Sequence, residues 1–168
     1  MAAGRSTQVA LPMTKTDLHR LFIERLMADL HNAQLALQTA HEAATHEENV
    51  AENKYDTLGL EAGYLAHGQA RRVAEIEQAL IAFRALKLRE FDAETGIQLS
   101  ALVLLENDAG QQRRLYLVPD GAGLKVQTDR GEVMSITPQS PMGRSLLGKV
   151  AGEVVVVNGQ ESEIVDVS

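Results

Sequence analysis

Apolar residues recur at steps of three and four along two stretches of matching length. The first passes through Phe22, Leu26, Leu30, Ala33, Leu37, Ala40 and Ala44, and the second through Ala62, Ala66, Gln69, Val73, Ile76, Leu80 and Phe83, with Gln69 its one polar position. Such steps keep each set on one side of a helix, and two facing stripes make a coiled-coil seam. Equal arms around a break near Asn53 predict an antiparallel hairpin, with Ala44 meeting Ala62 near the tip and Phe22 meeting Phe83 at the base. At 1.5 Å of rise per residue the seam is roughly 35 Å long. Thr16 and Asp17 can cap the first helix. The second helix is expected to restart at Asp56 or Thr57 and to end before the Thr95-Gly96 turn. Gly59, Gly63 and Gly68 each cost about 1 kcal/mol in a helix, which suggests close packing or local yielding near that end.

Beyond about residue 90 the period changes to alternation. Segments 97–105, 114–118, 133–136, 154–157 and 163–167 read as strands, with turns at Asn107 to Gly110, at 119–123 and at Asn158-Gly159, the best hairpin signal in the chain. Ser140 followed by Pro141 is an N-cap with proline at the first helical position; the short helix it opens runs through Leu147, is stopped by Gly148, and places Leu146 and Leu147 in the core. The predicted fold is α+β: a coiled-coil hairpin over 13–90 with an acidic tip near 46–57, then a small antiparallel sheet with one short helix over 91–168. Residues 1–12 read as a disordered leader or a misplaced start, with Met13 a candidate beginning.

The net charge of −7 divides into +1 for 1–12, −3 for 13–90 and −5 for 91–168. No basic face dominates, which argues against free-standing recognition of duplex DNA. Acid is concentrated at the tip, where Glu47, Glu48, Glu52, Asp56 and Glu61 stand against the single Lys54. A like-charge cluster at the end of a rod is costly unless a cation or a basic partner meets it, although acids at a tip can also simply be solvated. The chain has no cysteine, which removes disulfides, thiolate metal sites and cysteine nucleophiles and fits a reducing, cytoplasmic compartment. No apolar stretch is long enough to cross a bilayer. The five histidines, all in the stalk, lack zinc-site spacing and read as exposed helix residues.

The run Ser135-Ile-Thr-Pro-Gln-Ser-Pro-Met-Gly-Arg-Ser-Leu-Leu-Gly-Lys149, followed by Gly152-Glu-Val-Val-Val-Val157, resembles the C-terminal signature of the bacterial Gre transcript-cleavage factors, the GreA/GreB family. The resemblance covers 13–168 in architecture and is close in sequence over the last third. It implies an FKBP-like C-terminal domain that docks at the secondary channel of RNA polymerase, with Ser140, Pro141, Arg144 and Lys149 at or supporting the contact, and a stalk that reaches inward towards the nascent RNA 3′ end. In cleavage-competent members, tip carboxylates hold a second catalytic Mg2+ shared with the polymerase active site, so the factor is not an enzyme by itself and binds no metal alone.

Active members carry Asp-Leu-x-Glu-Asn-x-Glu-Tyr at the tip, whereas this chain has Glu48-Asn-Val-Ala-Glu-Asn-Lys-Tyr-Asp56. Matching on the Glu52-Asn53 pair puts Glu52 on the family's catalytic Glu and leaves Glu48 one residue from its Asp, with Tyr55 one residue short of the family's Tyr. Counting back from Arg72-Val-Ala-Glu-Ile-Glu77 instead puts Glu52 on the Asp and Tyr55 on the Glu. Glu52 is the acid both alignments support as catalytic and metal-binding; Asp56 and Glu48 compete as second ligand, and Lys54 opposes a cation. Two functions follow: an elongation factor that stimulates cleavage of backtracked RNA, or a regulator that occupies the channel without cleavage. A prolyl isomerase is disfavoured, since from Asp92 onward the only aromatic residue is Tyr116. An intramolecular hairpin also implies a monomer.

Overall fold

The computed structural model describes residues 12–50 and 58–168, with side chains from 12–46 and 60–168. Residues 1–11 of the proposed leader and the tip acids Glu52 and Asp56, with Lys54, lie outside the described residues; of Glu48 only the backbone is described, within the first helix.

Two long helices, α1 (Lys15–Val50) and α2 (Leu58–Ala85), pack along each other as the hydrophobic stripes predict. Phe22, Leu26, Ala33, Ala66, Ile76, Leu80 and Phe83 are buried, and the remaining stripe positions are half-buried. The first helix begins earlier than Thr16. Thr14 is the cap: its Oγ1 accepts from the Asp17 amide at 3.1 Å, while the Asp17 carboxylate accepts from the Thr14 amide at 3.0 Å. This reciprocal pair satisfies two amides at once, so Asp17 serves as the returning partner rather than as the cap.

The second helix stops at Ala85, ten residues before the Thr95-Gly96 turn. Tertiary bonds claim the backbone beyond it. The Lys15 ammonium donates to the Arg89 carbonyl at 2.7 Å and lies 4.7 Å over the Phe91 ring, and the Arg89 amide donates to Ser100 Oγ at 2.9 Å. A helix continued through Arg89 would forfeit these partners. Gly63 and Gly68 are exposed, with no atom near enough to touch an added Cβ, so close packing is not their role.

Six strands follow: β1 (Leu102–Asn107), β2 (Gln112–Leu117), β3 (Lys125–Thr128), β4 (Gly131–Ile136), β5 (Val154–Val157) and β6 (Gln160–Val167), with α3 (Pro141–Leu146) between β4 and β5. The sheet order is β3-β4-β2-β1-β6-β5. Four of its pairs are antiparallel, but β2 and β4 run parallel, unlike the wholly antiparallel sheet expected. The reason is β3, which the sequence pattern does not reveal because Val126 is its single apolar residue. By inserting one extra reversal, β3 returns the chain along β2 in the same direction. Asn158 and Gly159 both take positive φ, 52° and 75°, as a two-residue hairpin of the mirror-image type requires.

The sheet is apolar on both faces. One face, with Tyr116, Val126 and Val133, receives the stalk base through Leu18, Phe22, Leu26, Ile76, Leu80 and Phe83. The other, with Val103, Leu105, Leu115, Leu117, Val155 and Ile164, is covered by Ile97, Ala101 and Leu146. Among the described residues no helix is long and apolar enough to cross a membrane.

Candidate functional site

The Ser140-Pro141 motif forms as its residue types dictate. Ser140 Oγ accepts from the Gly143 amide at 3.0 Å and donates to the Thr137 carbonyl at 2.9 Å. Both bonds are internal, so Ser140 shapes the turn while exposed Pro141 presents its ring at the first helical position. Gly143 is required by space: an added Cβ would stand 2.0 Å from the Thr137 carbonyl oxygen. Arg144 is exposed and hydrogen-bonds the Gln139 carbonyl, which holds its guanidinium beside the cap. At the other end Gly148 turns out of the helix with φ 78°. There the Gly148 amide donates to the Ile97 carbonyl and the Ile97 amide to the Lys149 carbonyl, both at 2.9 Å. Lys149 is thereby pinned by its backbone with its side chain half-buried.

Ser140, Pro141 and Arg144 therefore share one turn, and Lys149 stands apart from them at the far end of α3. Leu146 is fully buried as expected, but Leu147 is 42% exposed and belongs to the surface. The valine-rich strand β5 differs too. Only Val155 is buried, because β5 is an edge strand whose alternate residues Val154 and Val156 face outward. Neither exposed set was separable from core by apolarity alone.

Where the stalk meets the sheet, one histidine departs from the expectation of exposed helix residues. His31, His41, His46 and His67 are exposed, whereas half-buried His19 lies between Tyr116 and Phe83. Its Nε2 is 2.8 Å from the Phe83 carbonyl oxygen and its Nδ1 is 2.9 Å from Tyr116 Oη. A carbonyl can only accept, so Nε2 carries the proton and neutral Nδ1 accepts from the tyrosine hydroxyl. The rings support this arrangement, with His19 stacked on Phe83 at 5.5 Å and Phe22 stacked on Tyr116 at 5.4 Å. Burial lowers the His19 pKa and raises that of Tyr116. One side chain from the stalk thus ties α1, α2 and β2 together.

Among the described residues no group of three histidine or acidic side chains could hold a metal ion. The carboxylates at issue are those of the tip, and their chemistry suits a hard cation such as Mg2+.

No protein-family model and no curated protein matches the chain. Among solved structures, Gfh1 of Thermus aquaticus shares 30% sequence identity over 86% of this chain and 92% of its own, with a TM-score of 0.36. The chain belongs to the Gre-factor family. GreA factor homolog 1 (Gfh1) of Thermus thermophilus is 26% identical over 87% of this chain and 94% of its own, with a TM-score of 0.36. A third Gfh1 structure, described as that of a transcription factor, is also 26% identical, over 88% of this chain and 94% of its own, with a TM-score of 0.38. Aligned sequence along nearly the whole of both chains carries the assignment; the superpositions do not. This Gre-family chain carries the helical hairpin first and then the six-stranded sheet with its capped Ser140-Pro141 helix.

Proposed function

We propose that this Gre-family protein is a transcription elongation factor that binds RNA polymerase through its C-terminal module and passes its stalk into the secondary channel. The observation that carries this reading is the joint presence of a capped Ser140-Pro141 turn and a stalk whose seam positions are buried or half-buried along its described length. Pro141 and Arg144 supply the direct contact, and Ser140, Gly143 and Lys149 hold its shape. Lack of cysteine fits a cytoplasmic setting, and equal hairpin arms favour a monomer.

At the tip, Glu52 with Asp56 or Glu48 would hold a Mg2+ ion shared with the polymerase active site, because hard oxygen ligands suit that ion. When bound there, such an ion would stabilise the attacking and leaving oxygens of RNA hydrolysis. The residues of this chain would position and lend charge; the catalytic centre would remain polymerase's, so the protein is not an enzyme on its own.

A second reading is favoured by Lys54, which stands among these acids and opposes a cation there. In it the protein occupies the channel without cleavage. Purified protein added to stalled, backtracked elongation complexes distinguishes the two. Shortened RNA, lost on Glu52→Ala with polymerase affinity nearly unchanged, supports cleavage, since a metal ligand acts on the transition state while docking is elsewhere. Unchanged RNA at saturating Mg2+, together with displacement of an authentic cleavage factor, supports occupation alone. Cleavage that survives both Glu52→Ala and Asp56→Ala overturns the role of the tip.

A further inference from the structure

A cavity of about 280 Å³ opens between the start of α1 and the sheet face beside the stalk base. Its apolar lining includes Leu18 of α1, Leu102 and Leu104 of β1, and Val133 of β4. Sheet register places two opposite charges across this floor. Leu104 is paired with Arg114 on β2 and with Asp166 on β6, so the three side chains form one row on one face. With adjacent strands about 4.8 Å apart, the Cα atoms of Arg114 and Asp166 are roughly 10 Å apart.

Arg114 is half-buried, yet among the described residues its guanidinium makes no ion pair, even though Asp129 and Asp166 line the same cavity. Nearby Lys15 is committed elsewhere, to the Arg89 carbonyl and the Phe91 ring. A guanidinium with no acceptor among the described residues keeps its donors free for a planar anion, and its fork matches a carboxylate or phosphate in bidentate fashion. An apolar floor with a few convergent polar groups at its ends is the usual form of a small-molecule site.

We propose that this cavity binds a small organic anion, its carboxylate or phosphate held by Arg114, its apolar or planar body resting on Leu104, and an amine at its other end donating to Asp166. This assignment is independent of polymerase binding. The two sources of the anion are separated by titrating the full-length protein with 6-aminohexanoate and with adenosine 5′-monophosphate, using hexanoate and adenosine as controls. Binding is read from backbone amide NMR shifts at Leu102, Leu104, Arg114 and Asp166. At least one of the aminated anions should move these signals in a saturable way, and its dissociation constant should rise about tenfold or more in Arg114→Ala, where the fork is lost. Arg114→Lys, which keeps the charge without the fork, should also weaken binding, and Asp166→Asn should weaken the aminated probe more than its control. An absence of shifts with all four probes would overturn the proposal. So would shifts that persist unchanged in a folded Arg114→Ala or Arg114→Lys protein.

Discussion

His19 shows how a single side chain can make the joint between stalk and sheet sensitive to pH. Burial is the largest influence on it and holds its pKa below the ordinary 6.5, against the smaller opposing effect of the Phe83 carbonyl. In the pH range just below 6.5 the folded protein therefore binds fewer protons than the unfolded chain. The sign follows: this group's contribution is intact above 6.5, and stability falls as pH drops from 6.5 towards the folded-state value. Lys15 acts in a separate window. Burial brings its pKa down from 10.5 to about 8, with Glu90 opposing, so its contribution rises only in alkaline solution. Urea midpoints measured at about pH 7.5 and about pH 5.5 should show a fall in the native protein that is smaller in His19→Gln. At the higher pH, Tyr116→Phe should cost about 1–2 kcal/mol, because His19 Nδ1 loses its donor. Equal pH slopes in native and His19→Gln proteins would contradict this account of the joint.

Glycines in two of the helices report opposite physical situations. Gly143 in α3 lies against the Thr137 carbonyl, so Gly143→Ala should destabilise by about 1–3 kcal/mol through forced backbone movement. Gly63 in α2 faces open space, and Gly63→Ala should stabilise by about 0.5–1 kcal/mol through helix propensity alone. Denaturant unfolding of the two variants checks both signs. The same contrast explains what was legible in the chain. Both helical stripes, the Ser140 cap, the Asn107 and Asn158-Gly159 turns and the valine strand could be read because each is local and periodic. The end of α2 at Ala85 was not, since Lys15 and Ser100 set it from distant positions. Nor was β3, whose order comes from pairing with β4 rather than from an apolar pattern. At the surface, Leu147, Val154 and Val156 were indistinguishable from core until the sheet edge was known.

At the scale of the whole molecule, the stalk and sheet share one apolar core through Phe22, Phe83 and Tyr116, so the base of the hairpin is set firmly on the module proposed to dock. The family resemblance was legible in the last third of the sequence because capping, glycine spacing and strand periodicity coincide there. The site chemistry was less so: Ser140 is occupied in holding its own turn, and Glu52 and Asp56 lie outside the described residues. The central claim is that this Gre-family chain engages RNA polymerase at the secondary channel through the Pro141–Arg144 turn. Competition binding to polymerase against a labelled authentic Gre factor tests it most directly. The account predicts that the full-length protein displaces the labelled factor, and that folded Arg144→Glu displaces it at least about tenfold less well, a loss of about 1.4 kcal/mol. No displacement by the native protein at concentrations where unlabelled Gre factor competes fully, or equal displacement by Arg144→Glu, would contradict it.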